Sequence, residues 1–215
     1  MPINTDLINR IKSFDDENKP DDYKNYASVS KVLDTTSDKS GLIAWRNKVG
    51  KEEADRITLE STSIGNYLDS AVEKYLMGEA FEVNPKHHFL FEQLQPTLDK
   101  MQLIRTQMRL WSNNLKVKGR LDAVVIWNDE IVLVDIKQSR KLKKIQYLEN
   151  YFHQCAFYSI MIHELTGVPI RKIAILLGNR SVDYPTIEVK HMKDYIPKIR
   201  SKIAEYRSFK SLENL

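Results

Sequence analysis

The chain has 215 residues, 42% of them hydrophobic and 29% charged, with a net charge of +4. This is the balance of a globular domain long enough to bury a full core, and it predicts one domain over 1–215. Cys155 is the only cysteine, which excludes a disulfide framework, a Cys-rich zinc site and a cysteine-ligated iron–sulfur cluster within the chain, and no apolar run approaches the roughly 20 residues of a membrane span.

The N-terminal stretch "MPINTDLINRIKSF" lacks a signal peptide's apolar centre, and its acids argue against a transit peptide, so a cytoplasmic location is expected. Residues 1–27 read as a polar arm, with "DDENKPDDYKN" in the middle. "DTTSDKSG" is loop chemistry. From 41 to 76, Ile57, Ile64, Leu68, Val72 and Tyr75 or Leu76 recur at threes and fours, which predicts a helix. Pro85 interrupts, and "KHHFLFEQLQ" predicts a second helix stopping near Pro96, so 41–100 is mainly helical.

The period then changes to two. "QLIRTQMRLWS", "LKVKGRLDAVVIW" and "IVLVDIK" each read as a strand, separated by the turn residues Asn113–Asn114 and Asn128–Asp129, which predicts an antiparallel meander. A long helix over 145–165 closes at Gly167, "KIAILLG" is a buried strand, "TIEVKHM" an edge strand, and 191–215 a closing helix with Pro197 near its start. The predicted fold is α/β: a central mixed β-sheet over 101–190, an antiparallel meander followed by a β-α-β crossover, with helices on both faces.

Alternation along "IVLVDIK" places Ile131, Leu133, Asp135 and Lys137 on one strand face and Val132, Val134 and Ile136 on the other. A carboxylate and an ammonium at the end of an apolar strand either form a structural ion pair or meet a ligand. If Asn128 and Asp129 turn the hairpin, Asp122 comes near Asp135, and two carboxylates beside a lysine suit Mg²⁺ or Mn²⁺. Gly119 is either a bulge or a point of close approach. Gln154 and Tyr158, four apart, share a helix face that packs toward the sheet, where the tyrosine is either a core-edge phenol or a phosphate contact.

"GRLD", "VDIKQS" and "QCAFY" together resemble the signature of the PD-(D/E)XK nuclease superfamily in the order and spacing of its RecB-like members. In that resemblance Asp122 and Asp135 are the acids, Lys137 the catalytic lysine, and Gln154 and Tyr158 the helix motif. Residues 28–76 are similar to phage exonucleases related to mitochondrial genome maintenance exonuclease. There a histidine is usual where this chain has Asp69, and a glutamate where it has Gln107. The resemblance implies a restriction-endonuclease-like core and a metal-dependent deoxyribonuclease of phage or bacterial DNA processing, in the host cytoplasm if phage-encoded. It implies Mg²⁺ or Mn²⁺ held by Asp122, Asp135 and the carbonyl of Ile136, with Asp69 as a further candidate ligand. Partners would be DNA ends, single- or double-stranded, and recombination or replication proteins.

Arg140, Lys141, Lys143 and Lys144 follow the catalytic lysine directly. They are either a solvated basic turn or a track for the DNA backbone, with Tyr147 or Tyr151 as a stacking surface. Arg120 and Ser139 join them as candidate DNA contacts, and Trp111 and Arg180 are weaker ones. His87, His88, His153 and His163 form no zinc pattern. A DNA-binding or recombination-partner protein that keeps this fold with reduced catalysis is the alternative.

Overall fold

The computed structural model describes residues 4–212; residues 1–3 of the expected arm and 213–215 of the expected last helix lie outside the described residues. The arm is otherwise not a loose lead-in. Thr5–Lys12 forms helix α1, capped by the Asn4 side chain, which accepts from the Asp6 amide at 2.9 Å. Leu7, Ile8 and Ile11 give α1 an apolar stripe that packs on the core, with Ile11 fully buried. Arg105 binds the carbonyl oxygens at the end of α1 and pairs with Asp16 at 2.6 Å, tying the segment to the sheet. Three apolar residues on one helical face outweigh the polar composition around them.

A two-residue strand, β1 (Ala27–Ser28), leads into α2 (Val29–Thr35), whose cap Ser28 accepts from the Lys31 amide. The helical stretch expected over 41–76 is two helices, α3 (Ser40–Val49) and α4 (Lys51–Leu76). They part at Gly50, whose φ of 86° is open to glycine and strained for other residues. Helix α5 (His88–Leu98) continues two residues past Pro96.

The first two expected strands each break in two: β2 (Met101–Thr106) and β3 (Arg109–Ser112), then β4 (Val117–Arg120) and β5 (Ala123–Trp127). The breaks face each other. The Gln107 amide donates to the Asp122 carbonyl and the Leu121 amide to the Met108 carbonyl, both at 3.1 Å. The hairpin therefore bends as a unit, and its halves join different sheets. One central sheet was expected; there are two, a small one ordered β1-β4-β3 and a five-stranded one.

Asn128 (φ 50°) and Asp129 (φ 58°) make the tight turn into β6 (Glu130–Ser139), the positive-φ pair of a type I′ hairpin. A 3₁₀ turn (Ile145–Leu148) precedes α6 (Glu149–Thr166), which ends on Gly167 and crosses over to β7 (Lys172–Asn179), parallel to β6. The edge strand β8 (Thr186–His191) runs antiparallel to β7, and α7 (Ile196–Leu212) closes the chain. The large sheet is ordered β2-β5-β6-β7-β8. The fold is α/β, with mixed sheets flanked by helices and a helical N-terminal part. No helix among the described residues is long and apolar enough to cross a membrane.

The large sheet divides two cores. Val124, Leu133, Ile175 and Leu177 pack with Phe152, Ala156 and Phe157 of α6. Val125, Val132, Val134, Ile136 and Leu176 pack with Ile64 and Leu68 of α4 and Leu90 and Leu94 of α5. Central β6 is buried on both faces, which is why its sequence is a continuous apolar run. The charged end of β6 emerges where the hairpin bends away.

Candidate active site

Strand β5 begins at Ala123, which pairs with Val134 of β6. Asp122 therefore sits in the elbow, one residue beyond the ladder, and the β6 amides past Val134 have no strand partner on that side. The Asp122 carboxylate takes that role, its Oδ2 accepting from the Ile136 amide at 2.8 Å. The bend that escaped the sequence pattern is what frees Asp122 to reach β6.

Asp135 lies on the α6 face of β6 and is 1% exposed. Lys137, two residues on and on the same face, brings its Nζ to 2.7 Å from Asp135 Oδ2 and 3.7 Å from Asp122 Oδ2. The same ammonium donates to the Ile136 carbonyl at 3.0 Å. Three oxygen donors thus converge on one cation. Apart from that ion pair, neither buried Asp135 oxygen has a well-formed hydrogen bond. Burial pushes the Asp135 carboxyl up, and the Lys137 charge opposes the shift. Burial alone would discharge Lys137, but Asp135 and Asp122 outweigh it and hold the ammonium charged, above its ordinary range.

Asp69 reaches this site from α4. It lines a small cleft with Glu73, Thr106, Gln107, Asp122 and Ile136. Burial, then the charge of Asp122, pushes its carboxyl up to about 7, against the pull of Lys137 and Arg120. Glu73 was missed in the sequence. Its spacing of four from Asp69, which puts both carboxylates on one helix face, was the available signal.

Gly119 proves to be a point of close approach. A Cβ there would stand 2.5 Å from Tyr158 Cε1 and 3.1 Å from its hydroxyl. Tyr158 packs under β4, only 3% exposed, and its hydroxyl accepts from Gln154 Nε2 at 3.0 Å. Burial raises the phenol well above its ordinary value, so it stays a neutral donor. Gln154 is the more accessible of the two, and Tyr158 orients it.

After β6, Arg140, Lys141 and Lys144 are exposed, as is Arg120 at the end of β4. Lys143 donates to the Tyr151 hydroxyl at 2.6 Å and lies 4.7 Å from that ring's centroid; Lys137 lies 5.7 Å from it. Ser139 has a different place from the surface contact expected of it. It is buried, and its hydroxyl donates to the Lys141 carbonyl at 2.7 Å, shaping the turn that presents the cations. Trp111 is also buried, packed beside Phe14 and Tyr23, and Arg180 is tied to Glu60 at 2.7 Å, so neither faces a ligand freely. That tie, with Gln138 donating to the Ser61 carbonyl at 3.0 Å, clamps α4 to the ends of β6 and β7.

Among the described residues, no three His, Cys, Asp or Glu side chains form a ready-made metal cage. The donors present still fit a divalent ion that keeps part of its water. Two carboxylates and a carbonyl converge, and beyond the Lys137 ion pair neither oxygen of buried Asp135 has a hydrogen bond. Mg²⁺ is commonly held by one or two carboxylates together with water and substrate phosphate.

Several solved structures resemble the chain, two of them as follows. SSO0001 shares 13% identity over 93% of this chain and 83% of its own, with a TM-score of 0.43. The alkaline exonuclease LHK-Exo from Laribacter hongkongensis shares 11% over 87% and 89%, with a TM-score of 0.41. No curated protein matches the sequence significantly. The sequence profile of the PD-(D/E)XK nuclease superfamily matches residues 24–211, from just before β1 to the last turn of α7, a span that includes Asp69, Asp122, Asp135, Lys137, Gln154 and Tyr158, and the chain belongs to that superfamily.

Proposed function

We propose that the protein is a Mg²⁺- or Mn²⁺-dependent DNA exonuclease of phage or bacterial DNA processing, acting on free ends, single-stranded ones preferred. The observation that carries this reading is the convergence of Asp122, Asp135 and the Ile136 carbonyl on Lys137, at the end of a buried strand. The similarity of residues 28–76 to phage exonucleases supports the exonuclease part.

In this reading Asp122, Asp135 and the Ile136 carbonyl would hold the metal, with Asp69 on α4 as a further candidate ligand. The metal supplies Lewis-acid polarisation of the scissile phosphate and a more acidic bound water. Lys137 orients the attacking water and offsets the charge that develops at phosphorus. Asp135, buried on β6, would supply a metal ligand and holds Lys137 in place through their ion pair. Gln154 donates to a phosphate oxygen, and Tyr158, wedged against Gly119, holds the amide in place. Arg120, Arg140, Lys141 and Lys144 attract the backbone, and the Tyr151 ring, within 5.7 Å of the Lys137 ammonium and 4.7 Å of that of Lys143, links the basic segment to the site.

Linear and circular DNAs, single- and double-stranded and labelled at the 5′ or 3′ end, incubated with Mg²⁺ or Mn²⁺, test the reading. Mononucleotides or short products released from linear DNA, with circles spared, are expected. No metal-dependent cleavage of any of these would leave a DNA-binding or recombination-partner role, to which the departures at Asp69 and Gln107 would then point.

A further inference from the structure

Starting at Ser139, two residues past Lys137, an open groove of about 530 Å³ lies between α3–α4 and the segment after β6. Trp45 and Ile57 form one wall; Arg140, Lys141, Leu142, Lys143 and Tyr147 form the other. The second wall is unusual for a solvated turn, since Leu142 is 49% and Tyr147 63% exposed. Apolar and aromatic side chains standing out among cations mark a binding surface.

The charges around the groove are not balanced. Asp55 is held by Arg46 at 2.6 Å, Glu53 by Arg56 at 2.7 Å, and Glu60 by Arg180 at 2.7 Å. Arg140 lies within electrostatic reach of Glu53, but Arg56 already holds that carboxylate through two hydrogen bonds. Among the described residues, Arg140, Lys141, Lys143 and Lys144 form no ion pair. The groove therefore carries excess positive charge beside apolar walls. At its inner end the Tyr151 ring joins it to the site, with Lys143 at 4.7 Å and Lys137 at 5.7 Å from the centroid.

We propose that this groove is a binding site for single-stranded DNA, with bases against Trp45 and Tyr147 and phosphates on Arg140, Lys141 and Lys143. Base faces are free to stack on a side chain only when unpaired; a duplex hides them and presents phosphates and groove edges. Cations alone would take either form of DNA, so the aromatic pair is what selects the single strand. The delivery of that strand to Lys137 rests on the nuclease reading above; the binding does not.

Fluorescence anisotropy with a labelled single strand and its duplex, Ca²⁺ replacing Mg²⁺, tests the site in the full chain. Base stacking on an aromatic side chain is worth ~1–3 kcal/mol, so Trp45→Ala and Tyr147→Ala should each weaken single-strand binding about 5-fold or more. Trp45→Phe and Tyr147→Phe should recover most of it, and duplex affinity should stay unchanged in all four. Single-strand affinity unmoved by both Ala variants, or duplex affinity falling equally, overturns the proposal. The two readings fail separately. Aromatic-dependent binding without cleavage sustains the groove and removes the nuclease, whereas cleavage with unmoved binding overturns the groove alone.

Discussion

The Lys137 ammonium stands 2.7 Å from Asp135 Oδ2 while also touching the Ile136 carbonyl at 3.0 Å, so it occupies the point on which the oxygen donors converge. Without a metal, the lysine is the cation that makes a buried carboxylate tolerable. Removing one partner of a buried pair costs about 3–5 kcal/mol, because the other is left charged and unpaired. Lys137→Ala should therefore lower the Tm of the metal-free protein and abolish cleavage, yet keep Mn²⁺ binding. Mn²⁺ should raise its Tm more than it raises the wild type's, since the ion replaces the missing charge. Asp135→Asn should lose both cleavage and the Mn²⁺ response. Thermal melts and calorimetric titration with Mn²⁺ separate the two. A Lys137→Ala variant that no longer binds Mn²⁺ would remove the ligand assignment.

Asp69 gives a test with a defined sign. Its carboxyl is pushed up to about 7 by burial and by Asp122, against an ordinary value of 3.8. Between those pH values the folded state holds more protons than the unfolded one, so its contribution to stability falls as pH rises. The cost is fully present above about 7 and absent below about 4. Asp69→Asn should therefore raise the Tm of the metal-free protein by a few degrees at pH 8 and leave it unchanged near pH 4. If Asp69 also faces the metal, the same variant should slow cleavage and alter the ratio of Mg²⁺- to Mn²⁺-supported rates. A Tm gain that is the same at both pH values would mean that Asp69 is not perturbed by its neighbours.

Gly119 is required by Tyr158. An added Cβ would lie 2.5 Å from the ring, closer than real contacts allow, and the ring is the rigid body of a buried side chain. Gly119→Ala should displace Tyr158 and, with it, Gln154, whose amide leans on the phenol. Overpacking of this kind typically costs about 1–3 kcal/mol. The expected outcome is a lower Tm and a cleavage rate down at least about tenfold, as one lost interaction of 1.4 kcal/mol would give. Tyr158→Phe, which keeps the packing and drops the hydroxyl, should lose rate with little loss of Tm. Wild-type behaviour in Gly119→Ala would show that the phenol has room to move.

How much of this was legible in the sequence follows from which signals are local. Helix α6 with its Gly167 stop, the buried strand β7 and the Asn128–Asp129 turn are local patterns, and alternation along β6 alone places Asp135 and Lys137 on one face. The proximity of Asp122 follows from that turn. The elbow itself was invisible, because no Gly or Pro falls at Gln107–Met108 or at Leu121–Asp122 to mark a break, while the bend is set by cross-strand hydrogen bonds at Gln107 and Leu121. Helix α1 was hidden by its polar composition, although Leu7, Ile8 and Ile11 carried the spacing. The clamp of Arg180 on Glu60 and the placing of Trp45 and Tyr147 on opposite walls of one groove bring together residues about a hundred apart, and no local pattern encodes them.

The cations after β6 offer the last test, by way of salt. Each phosphate neutralised by a cation releases condensed counterions, so log affinity falls with log salt by about 0.7 per contact on single strands. Arg140, Lys141 and Lys144 are exposed, whereas Lys143 is partly occupied by the Tyr151 hydroxyl. Two or more of the four should therefore meet phosphates. Changing all four to Ala should flatten the slope by about 1.4 or more and weaken binding throughout the salt series. The substrate concentration for half-maximal rate should rise, while the maximal rate falls less, because Asp122, Asp135 and Lys137 are untouched. Lys143→Ala alone carries a second signature: it frees Tyr151, so its effect on single-strand binding should exceed that of Lys144→Ala. Anisotropy with a labelled single strand in Ca²⁺ measures both. A slope unchanged in the fourfold variant would mean that these cations face only solvent and that DNA reaches Lys137 from the side of Arg120.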